Sequence, residues 1–380
     1  MALSVFDDGF YNNEDFSVSC NEAMCFGQFF AKPGNNIAVG MSENTEPVFY
    51  AIVSGLLETG KNIWNCGMCT KAELRNAIEL SRADCGIYLD YSCGNIKIIA
   101  MSENGFPLTH NEENKIISDM KSRHHGRSSC GKISDISALH EIYKSGIKRK
   151  FSSYEKYKDI QIHSSSPEIQ RLFNEISGIK DSDFSTDVSF HISDDGMGAS
   201  AYSCESGFVF RDKLILICCL DEFEKGNDVF LPENFPAVAE IAAKKYGASI
   251  HRFDPLSSDE QNIKMKKCSL RHDFLYDGTA LTQKVIDIMK RKHKTLAQLS
   301  NELPHFTTTI RYVSLNENNR TTAEKIKSDA QNNICLTNDS GRITVKKSKS
   351  GKSLMFYAEC YSSESADEFC SNFFRSNGIS

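Results

Sequence analysis

In "DYSCGN", residues 90–95, a lone serine, Ser92, stands in a short polar turn between two apolar runs, with Tyr91 and Cys93 on either side. A serine hydroxyl is a poor nucleophile until a base or a metal activates it, and its two immediate neighbours supply neither. Cys66 and Cys69 in "CGMC" have the Cys-x-x-Cys spacing. A structural zinc needs four ligands and no second close pair accompanies them, so packing at a strand end is favoured, with a redox motif as the alternative. His124 and His125 lie in the basic, glycine- and serine-rich "KSRHHGRSSCGK", which reads as a solvated loop rather than a metal site.

The elements around Ser92 put it where chemistry is expected. "NIAVG" reads as a strand, "EPVFYAIVSGLLETG" as a helix stopped by Gly60, and "KNIWNC" as a strand. "TKAELRNAIELSRA" then reads as a helix, and "CGIYLD" and "NIKIIAM" as strands. Strands alternating with amphipathic helices predict a layered α/β sheet with parallel neighbours. In such sheets the functional edge lies at the carboxyl ends of the strands, and the Ser92 turn follows "CGIYLD". After a polar helix and the linker come a second strand–helix pattern from Ala138, ending in "DVSFHISDDGMG", and a third from "FVFRDKLILICCLDEF" to "GTALTQKVIDIMKRK". The tail differs. A helix "TLAQLSNEL", a strand "TTTIRYVSL", a helix near "TTAEKIKSDAQ", strands "RITVKKS" and "SLMFYAECY" and a last helix "SADEFCSNFF" predict a closing α+β unit.

The totals exclude several classes. A chain of 380 residues exceeds what one core organises. A net charge of -6 gives no electrostatic case for nucleic acid, and "GIKRKF" is too short to change that. No run reaches the roughly 18 apolar residues of a membrane helix, and "MALSVFDDGF" has no secretion-signal pattern. A cytoplasmic protein without nucleic-acid or membrane partners is expected. The 14 cysteines are spread through apolar segments and read as small buried hydrophobes.

In order and over nearly the whole chain, these units resemble the α-D-phosphohexomutase superfamily of phosphomannomutases, phosphoglucomutases and phosphoglucosamine mutases. "NIAVG" with "AIVSGLLETGKNIWNCGM" looks like its first domain. "DKLILICCLDEF", "PAVAEIAAKKYGASIHR" and "LSNELPHF" resemble its third, and "LMFYAECYSSESADEF" the end of its fourth. The resemblance implies three successive α/β domains, the second shortened, and a C-terminal α+β domain, divided at 1–137, 138–190, 191–293 and 294–380. It also implies Mg2+ and a phosphoserine that shuttles a phosphoryl group between C6 and C1 of a hexose phosphate.

Ser92 falls at the phosphoserine position, in place of the family's Thr-Ala-Ser-His-Asn-Pro turn, with Cys93 at the histidine and a shorter loop. The family's metal loop, Asp-Gly-Asp-Gly-Asp-Arg, becomes "DGMGAS". Asp195 is kept, with Asp194 before it, but Met197 and Ala199 stand at the other two ligand positions and Ser200 at the arginine. Neither side chain can replace a carboxylate for magnesium, whereas Gly196 and Gly198 preserve a tight turn. The sugar-reading Gly-Glu-x-Ser-Gly-His loop has only Arg271 and His272 of "KKCSLRHDF" as polar candidates. The phosphate loop, Arg-Pro-Ser-Gly-Thr-Glu-Pro, corresponds to "KKSKSGK", where Lys346, Ser348, Ser350 and Lys352 around Gly351 could hold a phosphate or simply be solvated surface. "DDGFYN" matches the family's Ser-Gly-Ile-Arg with Tyr11 at the arginine.

Phosphoryl transfer relies on a metal and positive charge, so the expectation is a phosphohexomutase-family protein with impaired or lost activity. The alternative is a non-catalytic phosphosugar-binding protein or a scaffold on the same fold. Its partner would be a hexose phosphate if a cleft persists, or a protein or second copy if Tyr91, Cys93, Met197 and Tyr202 refill the cleft. The same four side chains could merely occupy space left by the shortened loops.

Overall fold

The computed structural model describes residues 3–6, 8–32, 35–122, 129–151, 160–167, 169–171, 188–314, 334–338, 341–347 and 353–376. The first sheet holds seven strands: β1 (Leu3–Phe6), β2 (Gly9–Asn12), β3 (Asn36–Met41), β4 (Asn62–Met68), β5 (Cys85–Ser92), β6 (Asn95–Met101) and β7 (Ile133–Asp135). Their order is β1-β2-β6-β5-β3-β4-β7. β3 runs parallel to β4 and β5, as alternation with helices requires. β6 instead returns antiparallel to β5, because only Cys93 and Gly94 separate them and so short a link can join only antiparallel strands. Both residues have positive φ, 53° and 83°, the conformation that matches a hairpin's twist.

Helices α1 (Cys20–Phe29) and α2 (Glu46–Glu58) cover one face of this sheet, meeting Ile37, Val39, Ile87 and Ile98. α3 (Lys71–Ser81) covers the other, its Leu74 and Ile78 against Ala38 and Tyr88. The alternation along β3 and β5 therefore feeds two cores. α3 begins with a capping box in which Thr70 and Glu73 satisfy each other's backbone amides. α4 (His110–Ser122) and α5 (Leu139–Phe151) follow.

A four-stranded sheet of order β11-β10-β9-β8 comes next: β8 (Ile160–Ser164), β9 (Val188–Ile192), β10 (Ala199–Ser203) and β11 (Gly207–Val209). α6 (Arg211–Glu224) contains "LILICC", buried on every side, so it shows little amphipathic stripe. β12 (Val229–Pro232) pairs parallel with β13 (Ile250–Phe253). Around them lie α7 (Val238–Tyr246), α8 (Glu260–Ser269), α9 (Gly278–Lys292) and α10 (Leu296–Asn301). A single core runs from Ile147 through Phe190, Leu216 and Ile286 to Phe306.

The tail is an antiparallel sheet of order β14-β17-β16-β15, comprising β14 (Thr307–Ser314), β15 (Ile334–Asn338), β16 (Gly341–Lys347) and β17 (Ser353–Cys360), with α11 (Ser363–Ser376) and its own core. Glu359 ties it to the preceding unit by accepting the amides of Ala237 and Val238 at 2.7 and 2.8 Å, a carboxylate at a helix amino terminus. The helix expected near "TTAEKIKSDAQ" lies outside the described residues. Among the described residues no helix is long and apolar enough to cross a membrane.

Candidate functional site

Ser92 closes β5 and pairs with Asn95, while Asp90 pairs with Lys97 across the hairpin. Alternate strand residues share a face, so Asp90, Ser92, Asn95 and Lys97 make one polar surface at the carboxyl edge of the sheet. The Ser92 hydroxyl hydrogen-bonds the Asp90 side chain. Burial raises the Asp90 carboxyl above its ordinary value, opposed by that hydrogen bond and by the ammoniums of Lys71 and Lys97. Ser42, just past β3, fixes the approach: its Oγ accepts the Tyr91 amide at 2.8 Å and donates to the Leu89 carbonyl at 3.1 Å.

The amino-terminal hairpin reaches the same surface. Lys97 Nζ lies 2.5 Å from Asp8 Oδ2, and the Tyr11 hydroxyl donates to Asp8 Oδ1 at 3.1 Å. The Lys97 ammonium also sits 5.4 Å from the centre of the Tyr11 ring, a cation–π distance.

From the other side comes the turn between β9 and β10. Asp195 Oδ2 is 2.7 Å from Lys71 Nζ at the start of α3. Asp195 Oδ1 accepts the Ser193 hydroxyl at 2.7 Å and the Met197 amide at 3.0 Å, and its carbonyl accepts the Ala72 amide at 3.3 Å. Burial alone would raise this carboxyl. The Lys71 ammonium, with hydrogen bonds from Lys71, Met197 and Ser193, outweighs it and holds Asp195 below the ordinary carboxylate value.

Gly196 and Gly198 sit in close packing: a Cβ on Gly198 would stand 2.9 Å from Arg211 Cδ. Gly196 has φ +74°, and a Cβ there would come within 3.1–3.2 Å of Thr70 and Ala72. Its carbonyl accepts the Gly278 amide at 2.8 Å, and a Cβ on Gly278 would stand 2.1 Å from the Gly198 carbonyl oxygen. The turn is thus wedged between the amino ends of α3 and α9.

These residues do not fit magnesium. A divalent hard cation takes several oxygen ligands, and both Asp195 oxygens are already engaged by an ammonium, a hydroxyl and an amide. Met197 and Ala199 offer no oxygen from their side chains, and Asp194 is exposed. Among the described residues no group of three His, Cys, Asp or Glu side chains could hold a metal. In charge, Lys71 does part of what a cation would do for Asp195. Around Ser92 the carboxylates of Asp8, Asp90 and Asp195 face the ammoniums of Lys71 and Lys97, each ammonium already paired.

The remaining candidates lie elsewhere. His272 is buried against Phe230 and Phe274, and burial lowers it to about 4. Arg271 donates to His272 Nε2 at 3.3 Å and to the Asp228 carbonyl at 2.6 Å, with its guanidinium over the Phe230 ring. Lys346 lies on β16, its side chain outside the described part. Ser348, Ser350, Gly351, Lys352, His124 and His125 fall outside the described residues. Cys66 and Cys69 pack in the α3-side core, where burial pushes the Cys66 thiol up to about 12, protonated at neutral pH. Tyr91, Cys93 and Tyr202 are exposed and Met197 half-buried, so the first three leave the edge open rather than plugging it.

Lys71, Asp90, Lys97 and Asp8 were not among the residues singled out from the sequence. Asp90 stands two residues before Ser92 on one strand, and Lys97 mirrors it across a two-residue turn, so both follow from strand periodicity. The Lys71–Asp195 pair joins distant segments and leaves no local signal.

No protein-family model matches the sequence, and no curated protein matches it in sequence. Solved structures match in three dimensions. A phosphoglucomutase/phosphomannomutase family protein from Burkholderia thailandensis aligns at TM-score 0.72 and 12% identity, over 97% of this chain and 96% of that one. A Thermus thermophilus protein described as a phosphomannomutase aligns at 0.68 and 12%, over 99% of each. The Paramecium phosphoglucomutase parafusin aligns in its open form at 0.64 and 11%, over 94% and 92%. At such identities the likeness establishes the fold, the multi-domain phosphohexomutase architecture.

Proposed function

We propose that this chain is a divergent phosphohexomutase-family protein in which magnesium-dependent transfer between C6 and C1 of a hexose phosphate is impaired or lost. One observation carries the reading: both oxygens of the Asp195 carboxylate are engaged, Oδ2 by the Lys71 ammonium and Oδ1 by the Ser193 hydroxyl and the Met197 amide. Carboxylates that hold magnesium against a phosphoserine must leave oxygens free for the metal. A phosphate on Ser92 would add about -1.5 to -2 charge to a surface where carboxylates already outnumber ammoniums. Without a metal, little remains to neutralise the equatorial oxygens of a transferring phosphoryl group.

The second reading, a non-catalytic binder of a phosphosugar or a protein partner at the same edge, draws on the exposure of Tyr91, 42%, beside Ser92. The deciding experiment offers mannose, glucose and glucosamine phosphates with Mg2+ and a bisphosphate activator, beside Ser92→Ala, with intact-mass measurement in parallel. The expected result is no turnover above the Ser92→Ala variant and an unphosphorylated chain. Turnover that vanishes with Ser92→Ala, together with one phosphate on the wild-type chain, would overturn it.

A further inference from the structure

A cavity of about 710 Å³ lies at the opposite edge of the first sheet, by the amino ends of β3 and β5, and shares no residue with the Ser92 surface. Its size falls in the range of roughly 300–1,000 Å³ typical of small-molecule sites. One wall carries Phe30, Phe106, Leu108 and Ile116; the other is α8, with Ile263 and Lys266 one turn apart on the same side.

Lys266 is the telling residue. It is only 7% exposed, yet its ammonium, which has three N–H bonds to give, has one partner among the described residues, the Ser257 carbonyl at 2.7 Å. Lys61, still more deeply buried at 1% exposure, shows the satisfied alternative, with its ammonium bonded to the carbonyls of Gly27 and Gln28 and to the Thr59 hydroxyl. Leaving donors of a buried cation unmade is costly. Four carboxylates line the cavity as well: Glu103, which pairs with Lys267, Glu112, which accepts the Thr109 amide and hydroxyl, Asp84, which accepts the Asn36 amide, and Asp119. Glu112, together with Asp254, acts on Lys266 through charge.

We propose that this cavity binds a small amphipathic anion, its acidic head on the Lys266 ammonium and its aryl or medium-chain acyl body against Phe30, Phe106, Leu108 and Ile116. Burial lowers the Lys266 pKa by more than the Asp254 and Glu112 carboxylates raise it.

The test titrates the full chain with 8-anilinonaphthalene-1-sulfonate, an aromatic anion, and with N-phenyl-1-naphthylamine, the same ring system without the charge, reading fluorescence. The anionic probe should saturate one site. Lys266→Met should weaken it about tenfold or more, as expected for a lost charge-assisted hydrogen bond, while the neutral probe changes less than about twofold on that scale. Ile263→Trp, at a position 38% exposed and therefore tolerant, should obstruct both probes. Equal effects of Lys266→Met on the two probes, or no effect on the anionic one, would overturn the proposal. If Lys266→Met does not fold, Ile263→Trp decides: unchanged binding of both probes overturns the assignment, and loss of both together with retention in Lys266→Arg supports it.

Discussion

Replacing Lys71 by methionine keeps the side-chain stem and removes the ammonium that holds Asp195 2.7 Å away. A hydrogen bond to a charged group contributes about 1.5–3 kcal/mol when one partner is deleted. The lower half of that range applies, because the side chains of Lys71 and Asp195 are 22% and 32% exposed and Asp195 keeps its bonds from Ser193 and Met197. The expected loss is about 2 kcal/mol, roughly thirtyfold in a local opening equilibrium. A chain with several cores need not unfold in one step, so the readout is local: hydrogen exchange of the segment 193–200 and of the Ala72 amide, followed by mass spectrometry. Asp195→Asn should produce a similar loss, and the double variant less than the sum. The pH dependence has a defined sign. The folded-state pKa of Asp195 is depressed, so its contribution is present above the unfolded value of about 3.9 and disappears as pH falls through the lower folded value. Wild type and Lys71→Met should therefore converge in strong acid. Protection of 193–200 unchanged within about twofold at neutral pH, far short of what a lost charged hydrogen bond gives, would refute the claim that the ammonium holds this turn.

His272 provides a second pH signature: its pKa is lowered from 6.5 to about 4, so its contribution is full above 6.5 and falls away as pH drops toward 4. The magnitude is roughly 3 kcal/mol, and His272→Phe should flatten the urea-midpoint profile across that window. Gly278→Ala places a Cβ 2.1 Å from a backbone oxygen and should cost about 3 kcal/mol, seen as a lower urea midpoint. Gly146→Ala, within α5 and with nothing within 4 Å of the added atom, should gain about 0.5–1 kcal/mol.

Much of the framework follows from local pattern. "NIKIIAM" is β6 residue for residue, and "KNIWNC" and "TKAELRNAIELSRA" fall on β4 and α3, because apolar periodicity and capping residues act within a few positions. The amino-terminal hairpin was less readable: β1 and β2 are four residues each and gain their place from distant partners, Phe10 pairing with Ile98 of β6 and packing on Phe26. At the site, Ser92 at the carboxyl edge was legible from the strand that precedes it. That Met197 and Ala199 offer no side-chain oxygen was legible from residue type, but that a metal ligand was expected at those positions came only from the family resemblance. That Lys71 would take up the Asp195 carboxylate was not, since an ion pair between a helix start and a distant turn depends on how two separately cored units meet.

The two-residue turn at Cys93 and Gly94 also sets an order of assembly. Pairing β5 with β6 closes one of the shortest loops a chain allows, an event of microseconds, so the surface carrying Asp90, Ser92 and Lys97 can form as soon as residue 101 is available. Asp195 arrives much later along the chain and must wait for β9 and β10 to pair and for the core beneath them to close. During synthesis, where amino-terminal units fold first, the Lys71 ammonium at the start of α3 therefore has the Asp90 carboxyl within electrostatic reach before Asp195 is made. When the 193–198 turn docks, Lys71 joins it through Asp195 beside the Ala72 amide and the Arg75 guanidinium over the Tyr276 ring.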